Sequence, residues 1–232
     1  MEKKFTLFIA FAIFAMASCS KDDDEDGIKS KLNKTDITLY VDDTEKLIYS
    51  GTKCTWKSDN PLIASIEDGV VTGEHVGVTK VHANELSCTV TVKPKYNNFF
   101  EPLLEWGASP SRIKNYMSGY KLKTSTTDQI TFDGKGNTLG YIYLLNSNKL
   151  SSSALLVNIF NASSLTDFLL ERYVVIDAEQ TSNSQYEFTM ANVDMNMAVY
   201  VIINNSSMFV AYYGVSKSSN SPIRQIKKEL LR

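Results

Sequence analysis

The chain has little of what most enzyme sites are made from. Its 232 residues include two histidines and three cysteines, and neither type occurs after Cys88, which excludes imidazole and thiol catalysis from everything C-terminal to it. His75 falls in a turn between Gly73 and Gly77 and His82 on a strand. Without a third ligand at metal spacing they read as polar surface residues, and no metal or cofactor is expected. No glycine-rich phosphate loop occurs, and no serine sits in a nucleophile elbow. A formal net charge of −2, with no basic stripe, argues against nucleic acid as a partner. Beyond the first residues no apolar run approaches the roughly 20 residues of a spanning helix. Carboxylates are plentiful but carry no motif. Glu101, Glu105, Asp128, Asp133, Asp167, Glu171, Asp177, Glu187 and Asp194 read as solvated groups, and a glycosidase using two of them is the least favoured function.

The N-terminus carries the clearest signal. Lys3 and Lys4 precede an uncharged apolar stretch, Phe5 to Ala17, that ends in small residues, so residues 1–18 read as a signal peptide. Cys19 follows small residues at its end and is the expected lipidation site, which would anchor the mature chain to a membrane through acyl chains. Residues 19–31 are charged and nearly free of apolar side chains, so they read as an acidic flexible tether. Within it, Ser20, Lys21, Asp22, Asp23, Asp24, Glu25 and Asp26 resemble the export signal of Bacteroidetes surface lipoproteins. That resemblance implies an outer-membrane location, lipid-anchored and facing the cell exterior. The plainer alternative is a solvated linker with no sorting role.

Residues 32–93 alternate with a period of two in short runs: Ile37, Leu39 and Val41; Cys54 and Trp56; Ala64 and Ile66; Cys88, Val90 and Val92. Such patterning predicts strands of a small sandwich with Trp56 at its centre. Leu39, Leu47, Trp56 through Pro61, Ile63 through Ile66, Gly69 through Gly73, Gly77 through Thr79 and Val90 through Val92 resemble the bacterial immunoglobulin-like domain of the second group. The resemblance implies an all-β immunoglobulin-like sandwich, a spacer or adhesive module without a reaction site. Parity turns both Cys54 and Cys88 inward, either joined as a disulfide or packed as two small hydrophobes.

After the linker Lys93 to Tyr96 the pattern changes, and residues 97–232 read as an α+β domain, an antiparallel sheet with two short helices. Ser109 with Pro110 opens a helix carrying Ile113 and Met117 and ending near Gly119. Ser164 with Asp167 opens a second one, with Leu165, Phe168 and Leu169 on one face. Strands are expected over residues 129–132, 139–145, 154–160, 185–190, 197–203 and 208–213, with turns at Asp133 to Asn137 and Asn204 to Ser207. The order helix, strands, helix, strands looks like two related halves. It is faintly similar to β-lactamase-inhibitor-like helix-on-sheet modules, through Trp106 to Ser109 before Ile113 and Lys114, and through Leu139 to Tyr141.

Phe99, Phe100, Trp106, Tyr116, Tyr120, Tyr141, Tyr143, Tyr212 and Tyr213 make this region rich in rings, most of them expected in the core and any exposed ones suited to stacking on a sugar or anchoring a protein. The closing segment, residues 221–232, reads as a strap or frayed terminus. Together these features predict a non-enzymatic surface lipoprotein, with an immunoglobulin-like spacer presenting a recognition or adhesion domain to a glycan or a surface protein. The rival is a periplasm-facing assembly or inhibitor lipoprotein docking on a membrane protein.

Overall fold

A computed structural model describes residues 30–215, so Cys19, the acidic stretch Ser20 to Asp26 and the closing segment 221–232 lie outside the described residues. The described residues are mostly β-strand, in three sheets with two short helices.

Seven strands come first: β1 Asp36–Tyr40, β2 Thr44–Lys46, β3 Trp56–Ser58, β4 Ala64–Glu67, β5 Val70–Gly73, β6 Gly77–Ala83 and β7 Leu86–Lys93. They form a sheet in the order β1-β7-β6-β3 and a smaller one in the order β2-β5-β4. β1 runs parallel to β7, and the remaining pairs are antiparallel. Alternation sends Ile37 and Leu39 of β1, Val81 of β6 and Cys88, Val90 and Val92 of β7 into one apolar cluster shared with Ala64 and Val71 of the smaller sheet. Trp56 departs from the expected central position. It is the first residue of a three-residue edge strand, and its indole is only partly buried at the margin of the cluster. There it covers Gly69, whose φ of +79° turns β4 into β5. A Cβ at Gly69 would lie 2.7 Å from the Leu47 carbonyl oxygen and 2.9 Å from the indole, so glycine is required on both backbone and steric grounds.

Eight further strands make one antiparallel sheet: β8 Leu122–Ser125, β9 Gln129–Asp133, β10 Thr138–Asn146, β11 Lys149–Asn158, β12 Tyr173–Ser182, β13 Gln185–Asn192, β14 Met197–Ile203 and β15 Ser207–Gly214. Their order is β12-β13-β14-β15-β11-β10-β9-β8, two four-stranded meanders joined through β11 and β15. Each meander is preceded by a helix, α1 Pro110–Tyr116 and α2 Ala162–Leu170. The expected two-halves order is therefore the observed one. Both helices lie on the same face, because Ile113, Met117, Leu165, Phe168 and Leu169 share a core with Tyr141, Tyr143, Leu155, Val199, Val210 and Tyr212.

Helix α1 begins as expected, with the Ser109 side chain accepting from the Arg112 N–H and proline in the first turn. α2 does not start at Ser164. A 3₁₀ turn, Ile159–Asn161, precedes it, and the Asn158 side chain caps that turn by accepting from the Phe160 N–H. β11 therefore stops at Asn158 rather than running to Phe160.

The junction between the two sets of sheets turns on Glu171, which is 5% exposed. It corrects the reading of this side chain as solvated. Its carboxylate accepts from the Lys95 N–H at 2.8 Å and the Tyr96 N–H at 3.0 Å, while the Arg172 guanidinium donates to the Tyr96 carbonyl. The Val76 N–H donates to the Glu171 carbonyl, and Val193 packs against the first cluster.

Candidate functional site

The segment 97–100, Tyr120 in the turn after α1, and the β9–β10 turn enclose an open cleft of about 370 Å³. Phe100, Tyr120, Lys135, Asn137 and Tyr141 contribute to its wall, with Asn97 and Asn98 at one side. Each group is there for a local reason. Tyr116 is the last residue of α1, and Tyr120 closes the turn after it, its N–H donating to the Met117 carbonyl, which brings both rings against Phe100. Phe100 stacks on Tyr116 at 5.1 Å and on Tyr120 at 5.4 Å between ring centroids, and Tyr141 meets Tyr120 edge-on. Arg112 lies over the Tyr116 ring and Lys135 over the Tyr120 ring. Gly134 closes the β9–β10 turn by donating to the Leu139 carbonyl, and Lys135 is held by a bond to the Gly119 carbonyl.

Burial raises Tyr141 far above the ordinary phenol range, and its hydroxyl donates to the Phe100 carbonyl at 3.0 Å. It fixes the wall and does not serve as an acid or base near neutrality. The cleft thus offers aromatic surface, carboxamides and one ammonium, a set suited to holding a polar ligand with an apolar face.

Several of the scattered carboxylates are committed elsewhere. Glu105 pairs with Arg112, Asp133 with Lys121, and Glu101 accepts from the Tyr173 hydroxyl. Glu187 stands directly opposite Glu179 across β12 and β13. Hydrogen bonds from Tyr200 and then Gln185 hold Glu187 below its ordinary range, the reverse of what a general acid needs.

Of the two alternatives for Cys54 and Cys88, the bridge is not formed, and both thiols are free. Register explains this. Cys88 is level with Val81, and Val81 with Ser58, so Cys88 lies two strands, or about 10 Å, from Ser58. Cys54 lies four residues before Ser58, ahead of the first residue of β3, and a disulfide needs Cα atoms within about 7 Å. Burial raises both thiols above their ordinary range. His75 bonds through Nδ1 to the Leu62 carbonyl, and His82 through Nε2 to Asp59. Among the described residues, no three potential ligands gather at one place.

Of the rings singled out in the sequence, Tyr141, Tyr143 and Tyr212 are in the core, and Phe100 is 39% exposed at the cleft. Tyr213 lies on the opposite face of the sheet, beside Ala191 and Ala198. No protein-family model, curated protein or solved structure matches the chain.

Proposed function

We propose that the protein is an outer-membrane lipoprotein, anchored through Cys19 and exposed to the exterior, in which an immunoglobulin-like unit over residues 32–93 holds out a non-catalytic recognition domain over residues 97–232. Two facing sheets around one cluster, with β1 parallel to β7, support the first part. The observation that carries the second is the composition of the cleft: half-exposed Phe100 beside Tyr120, with Asn97, Asn98, Asn137 and Lys135 around it and no carboxylate, imidazole or thiol in its lining. Such a wall binds without turning over. It matches a neutral oligosaccharide, whose rings carry an apolar face and a polar rim.

The test is a glycan array probed with the full-length lipoprotein in detergent, beside protease treatment of intact cells. A defined glycan family is expected to bind, with binding lost in Phe100→Ala, and intact cells are expected to lose the protein to protease. No bound glycan, or binding indifferent to Phe100→Ala, overturns the ligand. Complete protection in intact cells overturns the surface location and favours the periplasmic docking reading. That second reading draws on the sheet face opposite the helices, where Ile142, Leu156, Tyr200, Ile202, Phe209 and Tyr213 are half-buried on neighbouring strands.

A further inference from the structure

Helix α2 contributes no residue to the lining of the cleft, yet it holds one wall of it. Ser164, Phe168 and Arg172 recur at every fourth position, the first two on α2 and the third in the turn that ends it. Each meets one residue of the segment 97–99. The Asn98 side chain donates to the Ser164 hydroxyl, the Phe99 ring packs edge-on against Phe168 at 5.6 Å between centroids, and the Arg172 guanidinium donates to the Asn97 side-chain oxygen at 3.2 Å. Arg172 is itself fixed, because its guanidinium lies 3.7 Å from the centre of the Phe168 ring and donates through Nη1 to the Phe168 carbonyl at 2.8 Å.

The segment needs holding, since residues 96–98 belong to no strand or helix. Side chains take its backbone groups instead. Glu171 accepts from the Lys95 and Tyr96 amides, and Arg172 donates to the Tyr96 carbonyl at 2.9 Å. One nitrogen of Arg172, Nη2, therefore serves both the linker at Tyr96 and the cleft wall at Asn97. The chain is seated against the same helix from the junction into the cleft.

Chemistry decides which way Asn97 faces. A guanidinium donates and never accepts, so the Asn97 side chain turns its oxygen to Arg172 and keeps its NH₂ group, which no described residue takes, for a ligand. A bond from a charged donor is roughly twice as strong as a neutral one, so this orientation is set before any ligand arrives.

We propose that Arg172 is the positioning residue of the cleft: it presents Asn97 as a hydrogen-bond donor and, through Tyr96, makes the cleft wall move with the junction. Ser164 and Phe168 set Asn98 and Phe99 in the same way. The ligand so selected places an acceptor oxygen, hydroxyl or carbonyl, opposite Asn97. That last step rests on the glycan reading of the cleft, whereas the positioning does not.

The experiment follows the fluorine resonance of the full-length lipoprotein in detergent, carrying Phe100→p-trifluoromethylphenylalanine. Arg172→Met and Glu171→Gln, neither in the cleft lining, are expected to shift or split that resonance, and Arg172→Lys, which keeps the charge, to shift it less. Val71→Ala, which opens a void in the first cluster, is expected to leave it in place and so separates positioning from a general loss of stability. Asn97→Asp keeps an acceptor for Arg172 and removes the donor, so the resonance is expected to stay while glycan binding falls. On the glycan array, with unlabelled protein, Arg172→Met is expected to bind about tenfold more weakly, the effect of losing one charge-assisted bond. If Arg172→Met does not fold, Arg172→Lys carries the same comparison. A resonance unmoved by the Arg172 variants, an equal shift in Val71→Ala, or glycan binding indifferent to Asn97→Asp overturns the proposal. An array on which the wild type binds nothing overturns the glycan reading, and the fluorine resonance then decides the positioning by itself.

Discussion

At the scale of single residues, tyrosine dominates the ionisation behaviour. Burial pushes Tyr141, Tyr143, Tyr173 and Tyr212 far above the ordinary value of 10.0. Tyr200 is raised to about 12 by burial first and then by its bond to Glu187. A tyrosine is neutral while protonated, so a raised folded-state value contributes stability that is complete below about pH 10 and is lost as the pH climbs toward the folded-state values. A denaturation series across that window is expected to show stability falling steadily with pH. In Tyr200→Phe the part of the fall between pH 10 and about 12 should shrink, and a flat profile in the wild type would contradict the burial of these rings. Parity required Tyr212 and Tyr213 to point to opposite faces, and only the structure shows that Tyr212 is the one in the core. Glu171 was not readable. Nothing local distinguishes it from Glu105, and only the approach of the Lys95 and Tyr96 amides makes its burial tolerable.

At the scale of elements, strong periodicity and strong caps located most of the structure. β14 spans the residues expected of it, Met197–Ile203, and α1 starts where Ser109 and Pro110 place it. Ser109→Ala leaves the Arg112 N–H without its acceptor and is expected to lower stability by about 1 kcal/mol, with Ser109→Asp near neutral. Urea unfolding of the two variants checks this. The strands missed by pattern reading, β8 and β12, are the two edges of the eight-stranded sheet. β8 is almost wholly exposed, and β12 is exposed over its second half, so the alternation that marks a half-buried strand is absent. α2 began earlier than expected because it continues directly from the 3₁₀ turn that Asn158 caps, with no side-chain cap at Asn161, its own N-cap. Both asparagine and serine fit that role, and the choice depends on where β11 leaves the sheet.

At the scale of the whole molecule, the two sets of sheets meet at Glu171, whose carboxylate holds the linker amides of Lys95 and Tyr96 while its carbonyl takes the Val76 N–H. Glu171→Ala would leave two backbone amides and the Arg172 guanidinium short of an acceptor, a loss of about 3 kcal/mol. Calorimetry is expected to show that variant melting in two separated steps, the residues of the first cluster apart from those of the second. An unchanged single transition would show that the clamp does not couple them. The period-two and helical patterns, the caps and the turn residues are properties of neighbouring positions, so the sequence by itself determined where the strongly alternating strands and the capped helix α1 lie. It also determined that histidine and thiol chemistry are missing from the C-terminal part. Only the tertiary structure decided that β11 pairs with β15, that Phe100, Tyr120 and Tyr141 meet at one cleft, and that Cys54 and Cys88 stay apart. Those partners are far apart along the chain. Their meeting is set by which apolar faces can be buried together once the loops between them close, and no local pattern records that.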